Sequence, residues 1–362
     1  MNSIRTPEGG EKLPLVAIVL LNWNGWRDTL DCLGSLDQLK YRNCRIVLVD
    51  NGSSDGSLQM IEQYTKSRRL RVLRFSFSSP DNRVEPEEIS ESEVDRGIVT
   101  RVSAPEFEDG MNKAIWLIRC DRNHGFAEGN DIAIRFAWRS FSPDFFLLLN
   151  NDTIVDSDFL TELVGVAESE TTIGFTGPKV LCYPPKGSEN VISSAGGRVE
   201  IGKGRATKIG FGEVDHGQYD SLRDVDYIEG SCVLVTASML PRIGLMDSAY
   251  FAYWEETDWC WRAREAGYRC VYVPKAKIWH RGSSSSSKSI YTYFSARNML
   301  WFVRRHATFW NLMTFACYFP LSFLLRSCVF LLAHRDSDEV KAFIRGTIDG
   351  LTVSVYPPRD NL

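Results

Sequence analysis

The stretch that most constrains this chain is Phe145–Asp158, where five apolar residues end abruptly in Asn150-Asn151-Asp152-Thr153. A run of that length, bounded by polar turn residues, suits a strand buried on both faces, as in a parallel sheet. In open α/β sheets, ligands bind just beyond the carboxyl ends of such strands, so Asp152 stands where a ligand is expected. A carboxylate beside amide oxygens suits a hard divalent cation that uses few protein ligands and completes its shell with phosphate oxygens. The same residues also read as a strand followed by a turn and a helix cap at Asp156 or Ser157.

The preceding chain repeats this strand-then-polar-exit pattern. Leu15–Leu21 is a continuous apolar run that exits at Asn22-Trp23-Asn24-Gly25, and Trp26, Leu30, Leu33 and Leu36 then keep helical spacing. Arg45–Asp50 runs into Asn51-Gly52-Ser53-Ser54-Asp55-Gly56, a loop rich in backbone N–H groups at a helix start, suited to a nucleotide. Asp50, at the strand end, is placed to accept hydrogen bonds from a base or ribose, or to serve as a solvated turn acid. Leu70–Phe75 is a third strand. Residues from about Ser76 to Lys113 are acidic, proline-bearing and without apolar periodicity, which predicts an inserted loop. The sheet resumes at Ile115–Arg119 and leads to a loop in which Asn123, Gly125, Gly129 and Asn130 are ligand candidates. His124, alone in that loop, reads as a surface residue. Strand–helix alternation of this kind predicts a doubly wound sheet. Neither GxGxxG nor GxxxxGK[ST] occurs, which argues against a dinucleotide fingerprint and a P-loop.

Beyond Asp158 the chain turns to short strand pieces, Ile173–Leu181, Val191–Val199 and Tyr227–Thr236, with Gly230 where close packing or ligand approach is required. Tyr250–Tyr268 is the second dense stretch. Glu255 and Glu256 open a helix, where negative charge is favoured by the dipole, beside Tyr253 and Trp254. Desolvation there raises a carboxylate's pKa and strengthens it as a base. Asp258 and Arg262 have the spacing of a salt bridge. Cys270–Pro274 is a last strand, followed by His280, a metal-ligand or phosphate-contact candidate, and Arg281.

Composition narrows the class. The net charge of −4 argues against a general nucleic-acid binder. Nine cysteines without a CxxC pair fit core residues in a reducing compartment rather than a disulfide framework. The first ten residues lack the apolar core of a signal peptide, which predicts a cytoplasmic enzyme face. Near the C-terminus, Ala307–Leu325 and Ser327–Ala333 are apolar but interrupted by Pro320 and Arg326. With Arg304 and Arg305 at the entrance, they predict an in-plane or bent membrane element, with a true span and a soluble packing helix as alternatives.

Four motifs, DNGSSDGS (Asp50–Ser57), NHGFAEGN (Asn123–Asn130), LLLNNDT (Leu147–Thr153) and YWEETDWCWRAREAG (Tyr253–Gly267), stand in the order and rough spacing of glycosyltransferase family 2. The chain resembles especially its rhamnosyltransferase-like branch, over about residues 15–305. The resemblance implies a GT-A nucleotide-diphospho-sugar transferase fold: a Rossmann-like, mostly parallel mixed sheet, here with C-terminal membrane-associating helices. It implies a dTDP- or UDP-sugar donor, a divalent metal (Mg2+ or Mn2+), and inversion at the anomeric carbon. The acceptor would be a glycan or lipid-linked hydroxyl at the inner face of the cytoplasmic membrane. Asp50 falls on the family's nucleotide-binding aspartate. Asp152 falls on the last acid of its DXD-type motif, with Asn150 and Asn151 in place of the earlier acids. Glu256 matches the general base, Glu255 its neighbour, and His280 the histidine that completes the metal shell. The expected nucleotide-sugar site comprises Asn22, Asp50, Gly52, Asn123, Gly125, Gly129, Asn130, Asn151, Asp152 and Gly230.

The expected division is a tail over 1–14, a transferase domain over 15–290 with the insertion at about 76–114, and a helical segment over 291–362. Two other functions fit parts of the pattern. A nucleotidyltransferase on a similar sheet would carry a GXGXRL-like first loop, which LNWNG does not supply. A catalytically silent, membrane-associated scaffold would fit the Asn150-Asn151 departure.

Overall fold

The computed structural model describes residues 13–68, 70–78, 83–86, 114–183, 190–282, 287–329 and 337–353. Its spine is the strand series β1 (Val16–Asn22), β2 (Cys44–Asp50), β5 (Ala114–Cys120) and β6 (Phe145–Asn150), which pair in parallel in the order β6-β1-β2-β5. Helices α1 (Trp26–Leu36), α2 (Ser57–Ser67) and α3 (Gly125–Phe141) connect them. The apolar runs become strands because both faces of the sheet are covered: Ile18, Leu20 and Leu48 pack into one core layer, and Ala17, Val19 and Val49 into the other.

Beyond β5 the sheet continues to β3 (Arg71–Ser78) and, antiparallel to it, β4 (Arg83–Pro86). The expected loop therefore starts later than about Ser76. Apolar alternation runs on past Phe75 to Phe77, which is buried, and this extends the strand. The rest of the predicted insertion, 79–82 and 87–113, lies outside the described residues.

On the other side of β6, β13 (Cys232–Thr236) pairs antiparallel to both β6 and β8 (Ile173–Cys182). Strand β14 (Arg269–His280) lies parallel to β8 and antiparallel to β7 (Thr153–Val155) and β12 (Arg223–Val225). Helix α4 (Phe159–Ser169) covers this half. It starts after Asp158, which makes no side-chain cap and instead pairs with Lys40. Strand β9 (Ile192–Ser194) pairs with β8, and β10 (Gly197–Glu200) forms a separate hairpin with β11 (Arg205–Lys208). The short α5 (Leu240–Ile243) precedes α6 (Glu255–Glu265).

Three helices close the chain: α7 (Lys288–His306), α8 (Phe309–Val329) and α9 (Ser337–Thr352). Helix α7 is integral to the core, with Leu300, Phe302 and Val303 buried. No helix among the described residues is long and apolar enough to cross a membrane. Of the two arginines expected at a membrane entrance, Arg305 turns inward and Arg304 stays exposed. Arg304 donates to the Gly350 and Val353 carbonyls, and Arg305 binds Asp247 and Asp258. The buried carboxylate of Asp258 holds Arg305 away from the surface.

Candidate active site

The strand ends converge on a cavity of about 800 Å³, within the size range of small-molecule sites. Of the residues expected at a site, Asn123, Gly125, Asn151, Asp152, Gly230, Glu255, Glu256 and His280 line it.

The remaining expected residues stand behind its wall. Asn22 and Asp50 are register partners at the ends of β1 and β2, and both are buried. Asn22 Nδ2 donates to Asp50 Oδ1 at 2.8 Å, and the Ser53 N–H donates to Asp50 Oδ2 at 3.2 Å. The Asp50 carboxylate thus fixes the loop after β2. Gly52, at φ +72°, runs so close to the Arg122 backbone that a Cβ would lie 2.4 Å from its carbonyl carbon. Gly129 and Asn130 were expected to face a ligand and do not line the cavity. Gly129 lets α3 pack on Leu21, and Asn130 Nδ2 caps the Phe126 carbonyl within its own helix at 2.8 Å. His124 is not a surface residue: its side chain is 6% exposed, pairs with Asp121 and sits edge-on to Phe77.

Asn51 is a cavity residue that sequence reasoning passed over. Its amide bridges Asn123 Oδ1 (3.1 Å) and the Gly125 carbonyl (3.0 Å), tying the loops after β2 and β5 together. Asn151 Nδ2 is likewise committed to protein, donating to Thr29 Oγ1 at 2.9 Å.

Asp152 and His280 meet because β7 pairs with the end of β14: His280 is opposite Thr153, and the Arg281 N–H donates to the Asp152 carbonyl at 3.0 Å. Nε2 of His280 is then 3.0 Å from Asp152 Oδ1. Burial works to lower the imidazole's pKa, and the Asp152 carboxylate more than offsets this, leaving it raised. Among the described residues no group of three His, Cys, Asp or Glu side chains could hold a metal ion. A carboxylate and an imidazole this close nevertheless fit a divalent cation that takes its other ligands from diphosphate and water.

Glu255 and Glu256 start α6 after an unusual loop. Phe251, Tyr253 and Trp254 all have positive φ, at 65°, 69° and 75°. Such angles are costly for aromatic residues and persist only where the surroundings fix them. Here the fixing is visible. The Phe251 carbonyl accepts the N–H groups of Phe126 (2.6 Å) and Ala127 (3.2 Å), and a Cβ on Gly125 would lie 2.5 Å from that oxygen. From the other side Asn298 Nδ2 reaches the carbonyls of Tyr250, Ala252 and Tyr253. Burial is the first cause that raises both acids: Glu256 to about 6, and Glu255 well above the usual range, with Glu256 beside it as a further cause. Asp258 behaves oppositely. Burial works to raise it, but Arg262, His306 and Arg305 hold it low, and it makes the predicted salt bridge to Arg262 at 2.8 Å.

Two further charged residues line the cavity without having been expected. Glu229 follows Ile228 just before β13, and Lys208 ends the β10–β11 hairpin; their charged groups are 2.5 Å apart. An acid inside the run Tyr227–Thr236 was the available signal for Glu229. Lys208 had none.

The fold and these motifs have counterparts. The family described as "Glycosyltransferase like family 2" matches residues 95–299, and "Glycosyl transferase family 2" matches residues 17–79. A low-salt glycan biosynthesis hexosyltransferase, Agl10, of Haloferax volcanii is 28% identical over 39% of this chain and 44% of its own length. An N-acetylglucosaminyl-diphospho-decaprenol L-rhamnosyltransferase of Mycobacterium tuberculosis is 31% identical over 32% of this chain and 36% of its own. The chain thus spans less than half the length of either relative. Among solved structures, the mannosyltransferase PcManGT of Pyrobaculum calidifontis, in complex with GDP-Man and Mn2+, superposes with a TM-score of 0.50 at 14% identity, covering 94% of this chain and 87% of that one. S. aureus TarS in complex with UDP-GlcNAc gives 0.51 at 13%, covering 93% and 81%. The fold is that of GT-A transferases, and the chain belongs to glycosyltransferase family 2.

Proposed function

We propose that this protein is an inverting glycosyltransferase that moves a sugar from a nucleotide-diphospho-sugar to a hydroxyl of a glycan or lipid-linked acceptor. The observation that carries the reading is the arrangement of two chemistries in one cavity: Asp152 with His280 at one part of its wall, and the buried Glu255–Glu256 pair at another. The donor's nucleotide lies over the Asn51 and Asn123 loops, with Asp50 set behind them by Asn22. Asp152 and His280 would hold a divalent cation, which when bound neutralises charge developing on the leaving diphosphate.

Glu256 accepts the proton of the acceptor hydroxyl as that oxygen attacks the anomeric carbon. The bond to the diphosphate oxygen breaks on the opposite face, and configuration inverts. The protein supplies the base in a desolvated position, where a raised pKa makes it more effective near neutral pH. Neighbouring Glu255, driven further toward its neutral form, leaves negative charge concentrated on Glu256. The donor is proposed to be a dTDP- or UDP-sugar, with rhamnose among the candidate sugars. The two relatives, a hexosyltransferase and an N-acetylglucosaminyl-diphospho-decaprenol L-rhamnosyltransferase, support a hexose donor with rhamnose among the candidates.

The apolar outer face of α8 supports a peripheral placement at the cytoplasmic face of a membrane, where a lipid-linked acceptor would be found. The deciding experiment is donor hydrolysis and transfer by the full chain against a panel of nucleotide sugars, with Mn2+, Mg2+ or a chelator. Turnover that needs a metal and is lost in Asp152→Ala supports the reading. Binding without turnover for every donor and acceptor favours a silent scaffold.

A further inference from the structure

Either side of Gly230 the cavity wall carries polar atoms with nothing to bind. Glu229 Oε2 and Ser231 Oγ are both buried without a hydrogen-bond partner, in residues only 8% and 2% exposed. The two residues belong to one tight turn, closed by the Cys232 N–H on the Glu229 carbonyl at 3.3 Å, and both line the cavity. Such orphaned groups are costly unless something occupies them. The other carboxylate oxygen of Glu229 is already taken by Lys208 Nζ at 2.5 Å. Oε2 therefore needs a donor from outside the protein, and an ionised carboxylate accepts only. A Cβ on Gly230 would meet Phe126 and Glu256 only at 3.5 Å and beyond, so the wall between the two orphans is uncrowded.

We propose that Glu229, held by Lys208, and Ser231 form the recognition site for hydroxyl groups of the sugar being transferred. The proposal rests on the glycosyl-transfer reading above and adds the residues that choose the sugar. Position selects this part of the substrate. Glu229 Oε1 is 4.0 Å from His280 Nδ1, on the far side of the imidazole from Asp152, and Glu256 adjoins Gly230. The turn therefore stands between the diphosphate end and the base. A sugar joined to that diphosphate and attacked by a hydroxyl at Glu256 has to lie there. Chemistry selects hydroxyls. The carboxylate, held by Lys208, offers only acceptors, and a serine beside it both donates and accepts. Carboxylate–hydroxyl bonds in a dry site discriminate strongly, because the wrong sugar leaves the acid unpaired.

The test is calorimetry on the full chain in Mn2+. UDP, dTDP and GDP are titrated first, then UDP-glucose, UDP-N-acetylglucosamine, dTDP-rhamnose and GDP-mannose. The best-bound nucleotide sugar and its bare diphosphate are then compared in wild type, Glu229→Gln, Ser231→Ala and Lys208→Met. Glu229→Gln is expected to weaken the nucleotide sugar at least about tenfold, the scale of a lost charged hydrogen bond, while the bare diphosphate binds as before. Ser231→Ala should show the same selectivity with a smaller loss, and this arm decides the matter if Glu229→Gln fails to fold. Equal weakening of both ligands, or no weakening of either, overturns the site. Wild type that binds neither nucleotides nor nucleotide sugars overturns the glycosyl-transfer reading itself, and this site with it.

Discussion

Asn298, fully buried on α7, donates to the Tyr253 carbonyl at 2.7 Å, two residues before the first acid of α6. Its amide also reaches the carbonyls of Tyr250 and Ala252, while Arg297 reaches those of Ala249 and Tyr250. One helix thus holds the backbone of the loop with three positive-φ aromatic residues. Asn298→Ala would remove a side-chain donor from the Ala252 and Tyr253 carbonyls, at a cost of about 1–3 kcal/mol in stability. Loop relaxation should also lower kcat more than donor affinity. Denaturant melts and steady-state kinetics check both, and a variant as stable and active as wild type would remove α7 from the account of the site.

Replacing the base should separate chemistry from binding. Glu256→Gln keeps the shape and removes the proton acceptor, so transfer is expected to fall at least ~10²-fold with donor affinity retained. Glu255→Gln, which replaces an acid already driven toward its neutral form, should be far milder. The reverse ranking would put the base one residue earlier in the helix.

The same burial gives a pH dependence. Glu256 titrates at about 6 in the folded chain, above its usual 4.5, in surroundings that include Glu255, Glu229, Lys208 and Tyr227. The base form is the active one, so kcat/KM should rise as pH increases through about 6 and then level. Linkage has the opposite sign: a carboxyl raised by folding favours the native state most below its unfolded value, and that contribution is lost as pH rises through about 6. Glu256→Gln is therefore expected to raise Tm at pH 8 and not at pH 4. A flat rate profile, or destabilisation at pH 8, would count against an ionised base in a desolvated site.

On the proposed reading Asp152 and His280, 3.0 Å apart, would be the two protein ligands of the cation. Asp152→Ala and His280→Ala should each weaken Mn2+-dependent donor binding by at least about tenfold while leaving the fold intact, because a strand-exit side chain contributes little to the core. Titration of donor with and without chelator measures this. Donor binding that ignores both chelator and substitution would detach the pair from the diphosphate.

Legibility followed burial and chain continuity. The spine strands were readable because β1, β2 and β6 are covered on both faces; a strand exit pointed to Asp152, a helix start to Glu256, and the segment after the last strand to His280. What stayed hidden depends on contacts between distant segments. Nothing local marks Asn51 as a bridge to Asn123 and Gly125, or Lys208 as the partner of Glu229. Gly125 and Gly129 are points of close approach, to the Phe251 carbonyl and Leu21 respectively, and Gly125 also lines the cavity. Charge beside an apolar run did not reveal that Arg305 turns to the buried Asp258 while its neighbour Arg304 stays exposed.

The outer face of α8 should bind lipid. This helix is apolar on both sides: Phe315 packs inward on Ile201, Met299 and Val303, while Phe309, Trp310, Leu321, Leu324 and Leu325 are more than half exposed. A helix with apolar residues all round is normally buried, so the outward face calls for a cover. Pro320 lies within it, and no described helix is both long and apolar enough to cross a bilayer, so the expected attachment is in-plane. Exposed cations on the C-terminal helices include Arg304 on α7 and Lys341 and Arg345 on α9, the last two paired with Asp338 and Asp349. Full-length protein is expected to sediment with phosphatidylglycerol-containing vesicles. Trp310→Glu combined with Leu321→Glu should weaken partitioning at least about tenfold, since each such side chain contributes roughly 1.5–3 kcal/mol on burial. Donor hydrolysis in solution should be unchanged, because neither residue touches the cavity. If wild type stays in the supernatant and elutes as a dimer that the double variant breaks, a second copy of the chain covers this face and the membrane attachment is wrong.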